Sequence, residues 1–230
     1  MLMIDPRIII AIDTFDFKKA DAILEQLNPN LCLIKIGSVV FNALGKSFLK
    51  HASSQGFKIF LDLKLHDIPN TVHETIMGFS DCKIDMLTVH LSGGEEMLRK
   101  AMLAGKSINT KVIGVSMLTS LEEEDSLALF GNTLEDQISN LFKIAVEVNI
   151  DGIVCSPHEL KIANTILGPH SIKITPGIRD IKVEDDQART MSAKEAIERG
   201  STFLVIGRPI TQAEDIAQAL KNFNNSINEK

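Results

Sequence analysis

Residues 58–67 read Lys-Ile-Phe-Leu-Asp-Leu-Lys-Leu-His-Asp. The first six, 58–63, form a short and nearly continuous apolar run that carries a carboxylate at 62, with an ammonium following at 64. Runs of this kind, rich in Ile, Val and Leu and bounded by polar residues or Gly, suit strands buried on both faces of a parallel sheet. Seven more occur along the chain: 8–13 (IIIAID), 31–37 (LCLIKIG), 84–90 (IDMLTVH), 111–117 (KVIGVSM), 150–155 (IDGIVC), 171–176 (SIKITP) and 201–207 (STFLVIG). Between them the apolar residues fall at helical spacing, as in Ala20, Ile23, Leu24 and Leu27, or Ile138, Leu141, Phe142 and Ala145. Eight strands alternating with about eight helices, in a chain of roughly 200–250 residues, predict the α/β class and a closed (β/α)8 barrel of the TIM type. No Pro/Gly/Ser-rich linker divides the chain, so residues 1–230 are expected to form a single domain. An open doubly wound sheet is the alternative, because strand counts read from sequence can err by one or two. The segment 118–132 holds no strand pattern and predicts an extra turn or short helix.

Composition narrows the class of partner. The 230 residues include 24 Lys+Arg against 30 Asp+Glu, for a formal net charge of −6, with 44% hydrophobic residues. That is enough apolar material for a full core without disulfides or metals to staple it. The acidic balance argues against a dedicated nucleic-acid binder, which carries a basic face. With 11 Phe but no Trp and no Tyr, stacking platforms for single strands are scarce as well. Cys32, Cys82 and Cys155 are widely spaced and form no C-x-x-C pair, as suits a reducing compartment. The N-terminal stretch Met1–Ile4 is broken at once by Asp5 and Pro6, unlike a signal peptide, and no run approaches the ~18 apolar residues of a membrane span. The expectation is a soluble, cytoplasmic protein with neither nucleic-acid nor membrane partners.

In a barrel of this type the chemistry stands at the carboxyl ends of the strands. Those ends here carry Asp13, Lys35 before Gly37, Asp62 through Asp67, His90, Thr119 and Ser120, Ser156, Gly177 and Arg179, and Gly207 and Arg208. The opposite ends have polar starters too, such as Lys58, Lys111 and Ser171. Polar strand ends alone do not explain Lys35, Asp62 and Lys64, which lie within or against apolar runs. On a strand of period two, Asp62 and Lys64 share one side, and that side is the barrel interior. Asp67 follows where strand gives way to helix, with Pro69 in the first turn. Neighbouring carboxylates hold an ammonium in its charged form. Such a lysine is a proton donor and fixed positive charge rather than a Schiff-base nucleophile. Read alone, Asp62 and Lys64 could be a buried ion pair. Lys35 on the next strand and Asp13 beyond it favour a site.

A second cluster closes the chain. Barrel phosphate sites are often built from the loops after strands seven and eight. Those loops carry Gly177, Arg179, Gly207 and Arg208, glycine for close backbone approach and arginine for forked charged donors. The polar stretch 178–190 (IRDIKVEDDQART) is expected to be a lid.

The run Asp62-Leu63-Lys64-Leu65-His66-Asp67-Ile68-Pro69-Asn70-Thr71 resembles the signature of the orotidine 5′-phosphate decarboxylases. Similarity continues through Ala11-Ile12-Asp13, Lys35-Ile36-Gly37, Val89-His90-Leu91-Ser92-Gly93-Gly94, Leu118-Thr119-Ser120, Thr175–Arg179 and Val205–Ile210, which spans nearly the whole chain in order. The resemblance implies a homodimeric barrel, free of cofactor and metal, that acts on orotidine 5′-monophosphate. It implies that Lys64 donates the proton to C6 and that Asp62 lies against the scissile carboxylate. Lys35 and Asp13 would join the charged network and bind ribose hydroxyls, and Thr119 would contact the pyrimidine edge. Asp67 and Thr71 would reach into the neighbouring subunit's site. Arg179, Gln187, Gly207 and Arg208 would hold the phosphate and close the lid.

Three other readings compete. Sugar-phosphate decarboxylases and aldolases of the same broad superfamily share an Asp-x-Lys-x-x-Asp motif but use Mg²⁺. They would want a carboxylate near position 35, where this chain has a lysine that repels a cation. A barrel that only binds nucleotides gains little from burying carboxylates beside an anionic ligand. A metal site of His66, Asp67, His73 and Glu74 fails on spacing, and these residues are expected on a solvated or interfacial helix surface. His90 is open to either a structural or a functional reading.

Overall fold

The computed structural model describes residues 6–178 and 191–228. All eight apolar runs become strands: β1 (Ile8–Ile12), β2 (Leu33–Gly37), β3 (Ile59–Leu65), β4 (Met86–His90), β5 (Lys111–Val115), β6 (Gly152–Val154), β7 (Ile172–Thr175) and β8 (Phe203–Ile206). They pair in parallel in chain order and close into a barrel, with Ile8 of β1 registered against Leu204 of β8. The open-sheet alternative is thereby set aside. Arg7, just before β1, reaches the carbonyls of Ser201 and Thr202 at 2.9 and 3.3 Å and ties the seam from below.

Ten helices are seen among the described residues. They are α1 (Phe17–Glu25), α2 (Ser38–Ser54), α3 (Pro69–Met77), α4 (Gly94–Ser107), α5 (Glu123–Phe130), α6 (Leu134–Glu147), α7 (Leu160–Leu167), α8 (Ala193–Glu198), α9 (Arg208–Thr211) and α10 (Ile216–Ser226). Helix starts follow local chemistry. The Asp16 carboxylate accepts from the N–H of Lys18 and Lys19, and Thr133, Ser192 and Asp215 cap α6, α8 and α10. Pro69 opens α3, where its missing N–H costs nothing. The extra element expected in 118–132 is α5, with Glu122 and Asp125 forming a reciprocal cap and Gly131 ending it in the left-handed region.

The pleat sorts side chains into two cores. Ile8, Ile10, Ile12, Ile34, Ile36, Ile59, Leu61, Leu87 and Val89 face outward into the layer between barrel and helices. Their alternates Ile9, Leu33, Phe60, Met86, Ile113, Ile174 and Val205 fill the barrel itself. Along the inward rows of β2, β3 and β4, the next position toward the carboxyl end is Lys35, Asp62 and Thr88, so there the apolar plug gives way to polar groups one layer higher. Small residues permit close approach of the layers: a Cβ on Gly152 would stand 2.6 Å from Ile172 Cβ and 2.9 Å from its carbonyl oxygen.

One charged residue among the described strands breaks the outward rule. Lys173 of β7 is fully buried between sheet and helices, where its ammonium donates to the carbonyls of Gly168 and Ser171 at 2.9 and 3.2 Å. Burial pushes its pKa down. The three cysteines are free and buried, and burial drives the Cys32 thiol up to about 12, so it is a packing group rather than a nucleophile. No helix among the described residues is long and apolar enough to cross a membrane.

Candidate active site

At the carboxyl ends of the strands lies a cavity of about 470 Å³. Its walls include Asp13, Lys35, Asp62, Lys64, Thr119, Gly207 and Arg208, over an apolar floor of Phe60, Val115, Met117 and Val154. Together with Gly177, these seven residues singled out from sequence meet in one hollow, although they come from six of the eight strand ends.

Asp62 is the electrostatic centre. Its carboxylate oxygens accept from Lys64 Nζ at 2.9 and 2.8 Å, and Lys35 Nζ stands 3.5 Å from Oδ2. The Asp62 side chain is 11% exposed. Burial pushes its carboxyl pKa up, but Lys35 and Lys64, with hydrogen bonds from Lys64 and Thr88, outweigh that and hold it below the ordinary carboxylate range. Charge attraction and hydrogen bonding together exceed the desolvation cost, and the group is a carboxylate at neutral pH. Gly37 leaves room for the second ammonium, since a Cβ there would come within 3.0 Å of Lys35 Nζ.

The backbone at Lys64 is unusual. Its φ is +50°, a left-handed conformation that side-chain-bearing residues seldom adopt. The β3–β4 ladder shifts register here: Leu61 is opposite Leu87, but Leu65 is opposite Val89. Two extra residues are accommodated, and strain of this kind persists only where the surroundings over-determine it. Thr88 supplies part of that determination. This fully buried residue accepts the Lys64 N–H at 2.8 Å and donates to Asp62 Oδ1 at 3.0 Å. Sequence reading passed over Thr88, although a hydroxyl at an inward-facing position of an apolar run was the available signal.

Of the residues expected to hold the phosphate, those described stand at the ends of β7 and β8. Gly207 precedes α9, Arg208 and Pro209 open it, and Gly177 turns out of β7 at φ +77°. Arg179, Gln187 and the expected lid at 178–190 fall, apart from Ile178, outside the described residues.

Asp67 and Thr71 do not line this cavity. Asp67 lies between β3 and α3 with its carboxylate accepting the Ile68 N–H at 2.7 Å, and Thr71 sits exposed in the first turn of α3. His66 differs from expectation: β3 runs on to Leu65, so His66 lies in the loop rather than on a helix surface. It stacks obliquely on His90, the ring centroids 5.3 Å apart. His73 is on α3 and pairs with Glu74 at 2.9 Å. Burial, then His66 and Lys64, push the His90 pKa down against the pull of Asp62. His90 therefore stands as a neutral ring behind the charged array, outside the cavity wall. Among the described residues, no three His, Cys, Asp or Glu side chains group as metal ligands.

Comparison with known proteins places this architecture. The profile of the "Orotidine 5'-phosphate decarboxylase / HUMPS family" matches residues 6–223. The orotidine 5′-phosphate decarboxylase of Psychromonas ingrahamii is 40% identical over 231 residues, covering 98% of each chain. That of Legionella pneumophila (strain Corby) is 42% identical over 215 residues, covering 91% of this chain and 94% of its own. The crystal structure of orotidine 5′-phosphate decarboxylase from Lactobacillus acidophilus superposes with a TM-score of 0.85 at 33% identity, over 98% of this chain and 100% of that one. With a family profile spanning almost the whole barrel and relatives of this identity along its full length, the chain belongs to the orotidine 5′-phosphate decarboxylase family.

Proposed function

We propose that this chain converts orotidine 5′-monophosphate to uridine 5′-monophosphate and CO2, the last step of pyrimidine nucleotide synthesis. The observation that carries the reading is the Lys35–Asp62–Lys64 array, two ammonium groups about one buried carboxylate at the mouth of the barrel.

The chemistry is demanding because breaking the C6–carboxylate bond leaves an electron pair on C6 with no adjacent carbonyl to take it up. A protein meets that need with preorganised charge and a proton. Lys64 supplies both: its ammonium stabilises the developing carbanion and then donates a proton to C6, to be reprotonated from solvent. Asp62 faces the departing carboxylate and disfavours it in the ground state. Its bond to Lys64 also keeps that ammonium from swinging away. Lys35 and Asp13 bind ribose hydroxyls, and Thr119 meets the pyrimidine edge. Gly207 and Arg208, with Arg179 and Gln187, hold the phosphate, whose binding energy offsets the repulsion between Asp62 and the substrate. Asp67 and Thr71 complete the site of a second subunit in a homodimer. Neither metal nor cofactor takes part, and the ammonium of Lys35 occupies the place where a sugar-phosphate relative would want a metal-binding carboxylate.

The test is a spectrophotometric orotidylate decarboxylation assay with and without EDTA. Loss of orotidylate absorbance at the same rate in both supports the reading. Binding of uridine 5′-monophosphate without turnover reduces the protein to a binder. Activity abolished by EDTA moves it to the metal-dependent sugar-phosphate class.

A further inference from the structure

We propose that Thr88 is a positioning residue for this reaction, its hydroxyl locking Asp62 and the Lys64 backbone into one working geometry; this rests on the function proposed above. A hydroxyl proton can ordinarily rotate among several acceptors. Here it cannot. The Lys64 N–H can only donate, so it claims a lone pair on Thr88 Oγ1 at 2.8 Å, and the hydroxyl proton is directed to Asp62 Oδ1 at 3.0 Å. The site needs such a group because the register shift between Leu61 and Leu65 takes the Lys64 N–H out of regular pairing with β4. A buried N–H left without an acceptor is costly, and Thr88 stands where the acceptor is missing, fully buried in the middle of β4.

Two consequences follow. Lys64 is held at φ +50°, so its ammonium leaves the strand at the angle that meets both oxygens of Asp62. The Asp62 carboxylate in turn has one oxygen oriented by Thr88, which fixes its plane, while Oδ2 faces Lys35. Among the described residues, the charged or titratable groups that act on this carboxylate are Lys35 from β2, Lys64 from β3 itself and His90 from the end of β4. Thr88 does not itself line the cavity, so it acts through Asp62 and Lys64.

The experiment compares wild type with Thr88→Val, which keeps the shape and removes the hydroxyl, and Thr88→Ser, which keeps the hydroxyl. The expected result is a kcat at least tenfold lower in the Val variant, with KM changed less than about threefold. Ser should stay within about threefold of wild type in both. Loss of the hydrogen bond that favours ionised Asp62 should also move the acid limb of the kcat/KM profile to higher pH in the Val variant alone. If Val does not fold, Thr88→Cys, with its weak hydrogen bonding, is read the same way. A Val or Cys variant with wild-type kcat and pH profile overturns the role of Thr88, as does a Ser variant as impaired as Val. Wild type that does not consume orotidylate overturns instead the function on which it rests.

Discussion

The two ends of the barrel hold similar residue types and use them differently. At the amino end, Asp85 and Asp151 stand among Lys58, Arg99, Lys106 and Lys111 around a hollow of about 830 Å³, larger than the one at the carboxyl end. Their carboxylates are committed to the main chain: Asp85 accepts the N–H of Ile59 at 2.9 Å and Asp151 that of Val112 at 2.8 Å. Each fastens the start of one strand. At the carboxyl end, Asp62 accepts instead from side chains, two oxygens shared among Lys64, Lys35 and Thr88. Neither size nor charge separates a working hollow from a structural one. The partner of the carboxylate does, because a backbone N–H cannot deliver a proton and an ammonium can.

That contrast has measurable edges. Lys64→Ala should abolish turnover; retention of more than about a tenth of the wild-type rate, ~1.4 kcal/mol in barrier, would remove Lys64 from its assigned role. Arg208→Ala should raise KM strongly and lower kcat, since a charge-assisted contact to phosphate contributes about 1.5–3 kcal/mol; unchanged kinetics would place the phosphate elsewhere. At the amino end, Asp151→Ala should lower the thermal midpoint by the equivalent of about 1–3 kcal/mol through the orphaned Val112 N–H. Its kcat and KM should not move, and a kinetic defect with an intact midpoint would blur the division between the two ends.

Acid should act on the catalytic end through two groups. The Asp62 pKa is lowered on folding, so its contribution is present above the ordinary carboxylate value and lost as pH falls through the lower folded one. The His90 pKa is lowered too, so its neutral state supports the fold above about pH 6.5 and charging it in acid costs stability. Denaturation midpoints measured from pH 7 down to about pH 3 should therefore fall, and His90→Gln should flatten the part of that fall nearest pH 6. A midpoint that rises with acid would contradict the sign.

Each strand could be read from its apolar run because a parallel barrel buries both faces of every strand, which leaves a continuous signal. Ends were less legible. The run 31–37 begins pairing only at Leu33, and 150–155 yields just Gly152–Val154. Cavity residues such as Asp13, Lys35, Asp62 and Arg208 could be found because polar groups against apolar runs conflict with local preference, and such conflicts mark sites. Thr88 escaped because threonine is at home in a strand and creates no conflict. The left-handed turn at Lys64 had no sequence signal at all, since tertiary contacts rather than a glycine impose it. His66 was misplaced for the same reason: the register shift lets β3 run two residues beyond the apolar segment that was read.

Closing the seam between β1 and β8 also sets an order on biosynthesis. Arg7 finds its acceptors at Ser201 and Thr202, 194 and 195 positions later in the chain. At roughly 5–20 residues per second, a ribosome needs about 10–40 s to cover that interval. Throughout it, the nascent first strand has a neighbour on one side only and shows the other as a row of unpaired amides and carbonyls, the kind of surface on which chains aggregate. Any polypeptide released before Phe203–Ile206 would keep two such borders, on β1 and β7, so closure of the barrel waits on its shortest and latest pairings.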